Sequence, residues 1–185
     1  MIDTAQEKPE TVFLAEDEAW MYLQATTMYV WSPRGQTPVV RVDPGRKKAG
    51  FYGTLDLHTG QEIVTRSEVF NGEVTAQHLH QVLDAYPGRP IVFFWDRAPW
   101  HHGEPIRHLL ADNPRLEIIE FPVATPELNP QEQVWKQTRR AVSHNHIIPK
   151  LPELADKFEQ HLLSNTFASS FLDHYGYHLV YPYLN

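Results

Sequence analysis

An unbroken apolar run, Pro90-Ile91-Val92-Phe93-Phe94-Trp95, stops abruptly on Asp96 and constrains this chain more than any other feature. A strand with one wet face alternates apolar and polar residues. A run without alternation has to be covered on both faces, which puts it in the middle of a sheet with helices on each side. The flanking sequence supplies those helices. After Thr75, the apolar residues Leu79, Val82, Leu83 and Tyr86 recur at helical spacing until Pro87-Gly88 stops them. A second helix is expected from about Glu104, with Ile106, Leu109 and Leu110 inward. Leu116–Phe121 reads as a strand. Asn129–Val142 reads as a helix with Val134, Trp135, Thr138 and Ala141 on one stripe. A longer one runs from Leu151 to about Leu172 with Leu151, Leu154, Phe158 and Leu162 on its apolar face.

Upstream of Thr75 the pattern is that of strands. Thr11–Ala15 reads as a short buried strand ending in Glu16-Asp17-Glu18. Ala49–Leu57 and Gln61–Phe70 are rich in β-formers and are joined by a hairpin signal, His58-Thr59-Gly60. The order is therefore β-β-β-α-β-α-β-α and a further helix. It predicts an α/β fold: a mixed five-stranded sheet, three antiparallel strands then parallel βα units, with helices on both faces. Residues 1–10 read as a flexible lead-in and 176–185 as a C-terminal tail.

Composition narrows the function. The chain has no Cys, which excludes a thiol nucleophile, an iron–sulfur cluster and a Cys-built zinc site. No apolar run approaches the roughly 20 residues of a membrane span, and the polar N-terminus is not a secretory signal, so a cytoplasmic protein is expected. The net charge of −7 argues against binding nucleic acid with the whole surface. Basic residues are nevertheless segregated: Arg34, Arg41, Arg46, Lys47 and Lys48 in one stretch, Lys136, Arg139, Arg140 and Lys150 in another. These are either solvated faces or phosphate-contacting patches flanking an acidic pocket. Trp20, Tyr29 and Trp31 lie near the first patch and are candidates for stacking on bases, whereas Trp95, Trp100 and Trp135 read as core or pocket wall. The pairs His101-His102, His144-x-His146 and His174-x₃-His178 read as surface residues rather than a zinc site, because no third ligand stands near them.

The chemistry is expected from acids at strand ends. Asp17 and Asp96 each follow an apolar run, where a carboxylate leaves the core partly desolvated and needs a partner. In Asn129-Pro130-Gln131-Glu132, Glu132 has two readings: a capping box, bonding back to Asn129 as N-cap, or a carboxylate fixed at a helix start beside the sheet edge. Three converging carboxylates repel one another unless divalent cations sit between them, and oxygen-only ligands suit Mg²⁺ or Mn²⁺. Strand alternation puts Glu16 and Glu18 on the face opposite Asp17.

Asp17-Glu18 after a strand, Asp96 followed by Ala98-Pro99-Trp100-His101, and Thr125-Pro126-Glu127-Leu128-Asn129-Pro130-Gln131-Glu132-Gln133-Val134-Trp135-Lys136 together resemble the DDE-type catalytic domain of mariner-superfamily transposases, in its bacterial insertion-sequence branch. Thirty-five residues lie between Asp96 and Glu132, the short spacing of that superfamily, and Trp31-Ser32-Pro33-Arg34-Gly35-Gln36-Thr37-Pro38 resembles its loop after the first acidic strand. The resemblance covers residues 11–175 and implies a ribonuclease-H-like catalytic domain. Asp17, Asp96 and Glu132 would be its catalytic acids and the ligands of two Mg²⁺ or Mn²⁺ ions, with Glu18, His101 and Asn129 beside them. It further implies DNA cleavage at terminal inverted repeats and strand transfer of the 3′-hydroxyl into target DNA, by a homodimer associated with the nucleoid. Arg34, Arg46, Lys47, Lys48, Arg97, Lys136, Arg139 and Arg140 would contact DNA. Arg97 stands where the family usually has Asn. Family members carry N-terminal helix-turn-helix modules, for which there is no room before Thr11, so a catalytic domain alone is expected, either one of two reading frames with a separately encoded helix-turn-helix part or a truncated copy. A ribonuclease-H-like nuclease without strand transfer and an inactive, binding-only remnant are the alternatives.

Overall fold

The computed structural model describes residues 10–24, 27–39, 46–123 and 125–167. Five strands form one sheet in the order β3-β2-β1-β4-β5. They are β1 (Val12–Tyr22), β2 (Lys48–Asp56), β3 (Glu62–Ser67), β4 (Ile91–Trp95) and β5 (Leu116–Glu120). The first three pair antiparallel; β4 joins β1, and β5 joins β4, in parallel. The helices are α1 (Gly72–Ala85), α2 (Glu104–Asp112), α3 (Gln131–Thr138) and α4 (Leu151–Ser164). Element order and sheet type are those expected from the sequence. No helix among the described residues is long and apolar enough to cross a membrane.

Local chemistry explains the boundaries. The Asn71 side chain accepts from the Val74 N–H at 2.9 Å and starts α1. Asp56 closes the β2–β3 hairpin: its Oδ1 accepts from the N–H groups of His58 and Thr59 at 2.8 and 3.0 Å, and Gly60 supplies the φ of 71° that the turn needs. The helix expected over 129–142 stops sooner. α3 ends at Thr138 and widens into a π turn over Arg139–Ser143. The helix expected to reach about Leu172 is also shorter: α4 ends at Ser164, and Asn165 turns to extended backbone at φ −113° and ψ 155°. The pair His174 and His178, the 176–185 tail and most of the 1–10 lead-in lie outside the described residues.

The largest correction concerns β1. It does not end at Ala15 but runs on through Glu16-Asp17-Glu18 to Tyr22. Acids inside a strand look like its end, but here the backbone ladder with β2 continues from Leu14 to Tyr22. β4 pairs with β1 only over Val12–Ala15 and stops at Trp95. Beyond Ala15, no strand among the described residues pairs with that edge of β1, which leaves a notch beside Glu16, Asp17 and Glu18.

Two cores cover the sheet. On one face Phe13, Ala15, Phe51, Val92, Trp135 and Phe158 pack under α3 and α4. On the other Leu14, Leu79, Phe93, Trp95, Ile106 and Leu109 pack under α1 and α2. Odd residues of β1 belong to the first face and even ones to the second, as alternation requires. His78 of α1 is fully buried on the second face. Its ring sits 2.7 Å from both Thr54 Oγ1 and Thr65 Oγ1 and stacks on Tyr52 at 5.5 Å. Burial lowers its pKa from 6.5 to about 3.

Candidate active site

Parity places Asp17 on the α3/α4 face, and a cleft of about 290 Å³ opens there at the notch. Asp17 from β1, Asp96 from just past β4, and Glu132 from the first turn of α3 all line it. Asn129, Arg97 and Phe121 line it as well.

Each carboxylate is held differently. Asp17 Oδ2 accepts from the indole Nε1–H of Trp135 at 3.1 Å, and that ring is itself buried. Burial, followed by the negative charges of Glu132 and Glu18, pushes the Asp17 carboxyl well above its ordinary range. Asp96 lies at the solvent edge. A hydrogen bond from His101 and one from the Ala98 N–H, the latter at 2.8 Å, hold its carboxyl below the ordinary range. Glu132 is not part of a capping box. Pro130, not Asn129, occupies the N-cap position, and the Asn129 N–H donates to the Pro126 carbonyl at 3.1 Å instead of to Glu132. The side chain of Asn129 is used as a strut. Its Oδ1 accepts from Gln131 N–H and its Nδ2 donates to the Glu16 carbonyl at 3.2 Å, tying the start of α3 to β1.

Close approach of α3 to the sheet depends on Gly53 of β2. A Cβ there would lie 2.6 Å from the Trp135 ring and would overlap the Gln131 amide. Gly53→Ala is expected to cost about 1–3 kcal/mol, read as a lower urea midpoint, because the helix carrying Glu132 would have to lift.

Glu16 and Glu18 point to the opposite face, where they meet His101. The His101 ring is buried. Its Nε2 lies 3.1 Å from Glu18 Oε1 and 3.6 Å from Glu16 Oε2, and its Nδ1 lies 3.0 Å from the Asp96 carbonyl and 3.3 Å from Asp96 Oδ1. Burial alone would lower the ring's pKa, but the hydrogen bonds with Asp96 and Glu18 and the charges of Glu16 and Glu18 push it up to about 11. Burial, then Glu18, raises Glu16 well above the ordinary range, and neither of its carboxylate oxygens has a hydrogen-bond partner. One atom from each of Glu16, Glu18 and His101 fall within 4.8 Å of one another, close enough to hold a metal ion. The expectation that His101 is a surface residue with no further ligand near it is therefore corrected: it is 2% exposed and meets Glu16 and Glu18, whereas His102 is half-exposed. The signal for this cluster was the alternation that sends Glu16 and Glu18 away from Asp17.

The basic residues divide. Lys136 and Arg139 line a groove that continues from Glu132. Arg140 turns to a different concavity with Gln137 and His161, so it does not share that groove. Arg97 borders the cleft, but its Nε pairs with Glu120 at 2.9 Å. Lys48 lies 3.4 Å over the Trp20 ring, which also packs on Phe70, so Trp20 is engaged in packing rather than presented to bases. Arg34, Arg46 and Lys47 are exposed on the connection between β1 and β2, as are Tyr29 and Trp31.

The family model for a DDE superfamily endonuclease matches residues 12–155. An insertion element IS630 uncharacterized 39 kDa protein of Shigella sonnei is 24% identical over 144 residues, 77% of this chain and 42% of that protein. The Mos1 transposase paired-end complex with left transposon end has a similar fold, with a TM-score of 0.65 and 17% identity over 92% of this chain and 52% of that one. The mariner Mos1 paired-end complex with Mg gives a TM-score of 0.65 and 15% identity over 94% of this chain and 53% of that one. The mixed five-stranded sheet is the ribonuclease-H-like fold of these neighbours. The chain spans about half the length of the relatives it matches.

Proposed function

This chain belongs to the DDE superfamily endonuclease family, and from that premise we propose that it is the catalytic domain of a transposase that cuts DNA at transposon ends and joins the freed 3′-hydroxyl to target DNA. The observation that carries this reading is the meeting of Asp17, Asp96 and Glu132, from three separate elements, in one cleft. Burial first, and then the negative charge of Glu132, raise the Asp17 carboxyl there. A divalent cation between them would relieve that repulsion, and the oxygen-only donor set suits Mg²⁺ or Mn²⁺. The mariner neighbour solved with Mg supports the same choice.

Asp17, Asp96 and Glu132 would hold two such ions. Bound there, the ions would activate water or a 3′-hydroxyl and stabilise the leaving oxygen of a phosphodiester. The chain's own residues orient the ligands. Trp135 fixes the rotamer of Asp17, the Ala98 N–H and His101 fix Asp96, and the Asn129 strut sets α3 and hence Glu132 against β1. Lys136 and Arg139 would take the DNA backbone where it leaves the cleft, with Arg34, Arg46 and Lys47 contacting it further out.

Labelled duplex, hairpin and RNA–DNA substrates with Mn²⁺ test the proposal. DNA nicking followed by strand joining is the expected result. Nicking without joining would reduce the protein to a nuclease, and no cleavage of any substrate, with no metal-dependent rise in melting temperature, would sink the enzymatic reading. Trp135→Phe keeps the ring packing but deletes the donor to Asp17. It should weaken Mn²⁺ binding by roughly 10-fold, measured by titration, because a partner that orients a ligand is lost.

A further inference from the structure

We propose that His101 is the positioning residue of this centre: one edge of its ring holds Asp96 at the mouth of the cleft, while Glu18, on the opposite face of the sheet, holds the other edge. The inference rests on the reading of Asp96 as a metal ligand.

Four contacts fix the ring. Nδ1 faces Asp96, 3.0 Å from its carbonyl and 3.3 Å from its Oδ1. Nε2 faces Glu18 Oε1 at 3.1 Å. The Trp100 indole N–H donates to that same Glu18 oxygen, which fixes the carboxylate in turn. The Trp95 ring stacks on His101 with centroids 4.2 Å apart and planes 1° from parallel. With a partner at each ring nitrogen and an indole stacked on its face, the imidazole has one orientation that serves all of them.

The geometry also explains why the helper acids stand where they do. Asp96 follows the last residue of β4 and has no strand on which to be held. Glu18 sits within β1, the central strand, which is paired to β2 along its length. The ring therefore transfers the rigidity of the sheet to a carboxylate that the sheet itself cannot reach. Glu16, buried 3.6 Å from the same Nε2, closes the ring in from behind.

The test compares His101→Gln with His101→Asn. Asn can place its amide near the Nδ1 position and keep the contact with Asp96; Gln reaches toward Glu18 instead. Mn²⁺ affinity is measured by electron paramagnetic resonance on the folded proteins, below their melting temperatures. We expect His101→Gln to weaken Mn²⁺ binding roughly 10- to 100-fold and to lower kcat without changing KM for DNA, and His101→Asn to restore part of both. If either protein fails to fold, Glu18→Gln, which keeps shape and acceptor oxygen but removes the charge, is read in the same way and should weaken Mn²⁺ binding as well. Unchanged Mn²⁺ affinity in the folded variants, even with a lower melting temperature, would make the ring a packing element only and overturn the proposal. So would one equivalent of metal in the purified protein that is lost in Glu16→Gln and kept in Asp96→Asn, since the ring would then serve with Glu16 and Glu18 as a ligand instead of holding Asp96. Asp96→Asn is the control: if it leaves Mn²⁺ binding intact, it is the reading of the cleft that has failed, not the role of His101.

Discussion

Asp96→Asn should reduce DNA cleavage by roughly 10³-fold, equivalent to about 4 kcal/mol of transition-state stabilisation, while the protein stays folded. Asp96 lies at the solvent edge after β4, so the substitution removes a charge without opening a cavity. Single-turnover nicking in Mn²⁺ reads the rate, and circular dichroism reads the fold. Asp17→Asn should lose comparable activity but differ in stability. Burial and the Glu132 charge raise the Asp17 carboxyl well above its ordinary value. The folded state then holds a proton that the unfolded state has released, so this group's contribution to stability falls as pH rises past the unfolded value. Removing the charge should make the metal-free protein more stable at neutral pH, as seen in urea midpoints. Such a gain at the expense of activity is the usual signature of a strained functional site. A loss of stability in Asp17→Asn, or full nicking activity in Asp96→Asn, would contradict the assignment of these acids.

The second large effect is expected on stability and pH, away from the cleft. His78 titrates near 6.5 when unfolded and at about 3 when buried between Thr54 and Thr65. Its folded value is depressed, so the unfolded chain takes up the proton first and stability is lost as pH falls below 6.5. The slope for one proton is about 1.4 kcal/mol per pH unit, or roughly 3 kcal/mol between pH 6.5 and about pH 4. Glu16, Asp17 and Glu62 work the other way, because burial raises all three. The whole-protein profile therefore mixes both signs, and the difference between wild type and His78→Leu isolates the histidine. Wild type should be the more stable at neutral pH, and its advantage should shrink with acidification. Parallel profiles would show that His78 is not held neutral by the fold.

The elements were legible because their causes are local. Pro90–Trp95 could only be a covered strand, the spacing from Thr75 to Tyr86 could only suit a helix, and the three antiparallel strands followed from β-rich runs joined by one hairpin turn. The order of strands and helices on the page of the sequence thus already limited the chain to a mixed five-stranded sheet. The motif around Asp96 and Glu132 marked the acids worth following. Strand alternation by itself separates Asp17 from Glu16 and Glu18.

What only the tertiary structure decided is how far each element runs and what it meets. β1 continues past Ala15 because β2 pairs with it to Tyr22, while β4 stops short and leaves the notch. Glu132 is free to face the cleft because Pro126 takes the Asn129 N–H that a capping box would have used. Trp135 reaches Asp17, and His101 joins Asp96 to Glu18, across separations of 118 and 83 residues in the chain. Periodicity is a property of neighbours along the backbone and can be read from them. The depth of a cleft, the partner of a carboxylate and the burial of a charge depend on the register between segments far apart, and no local pattern carries that register.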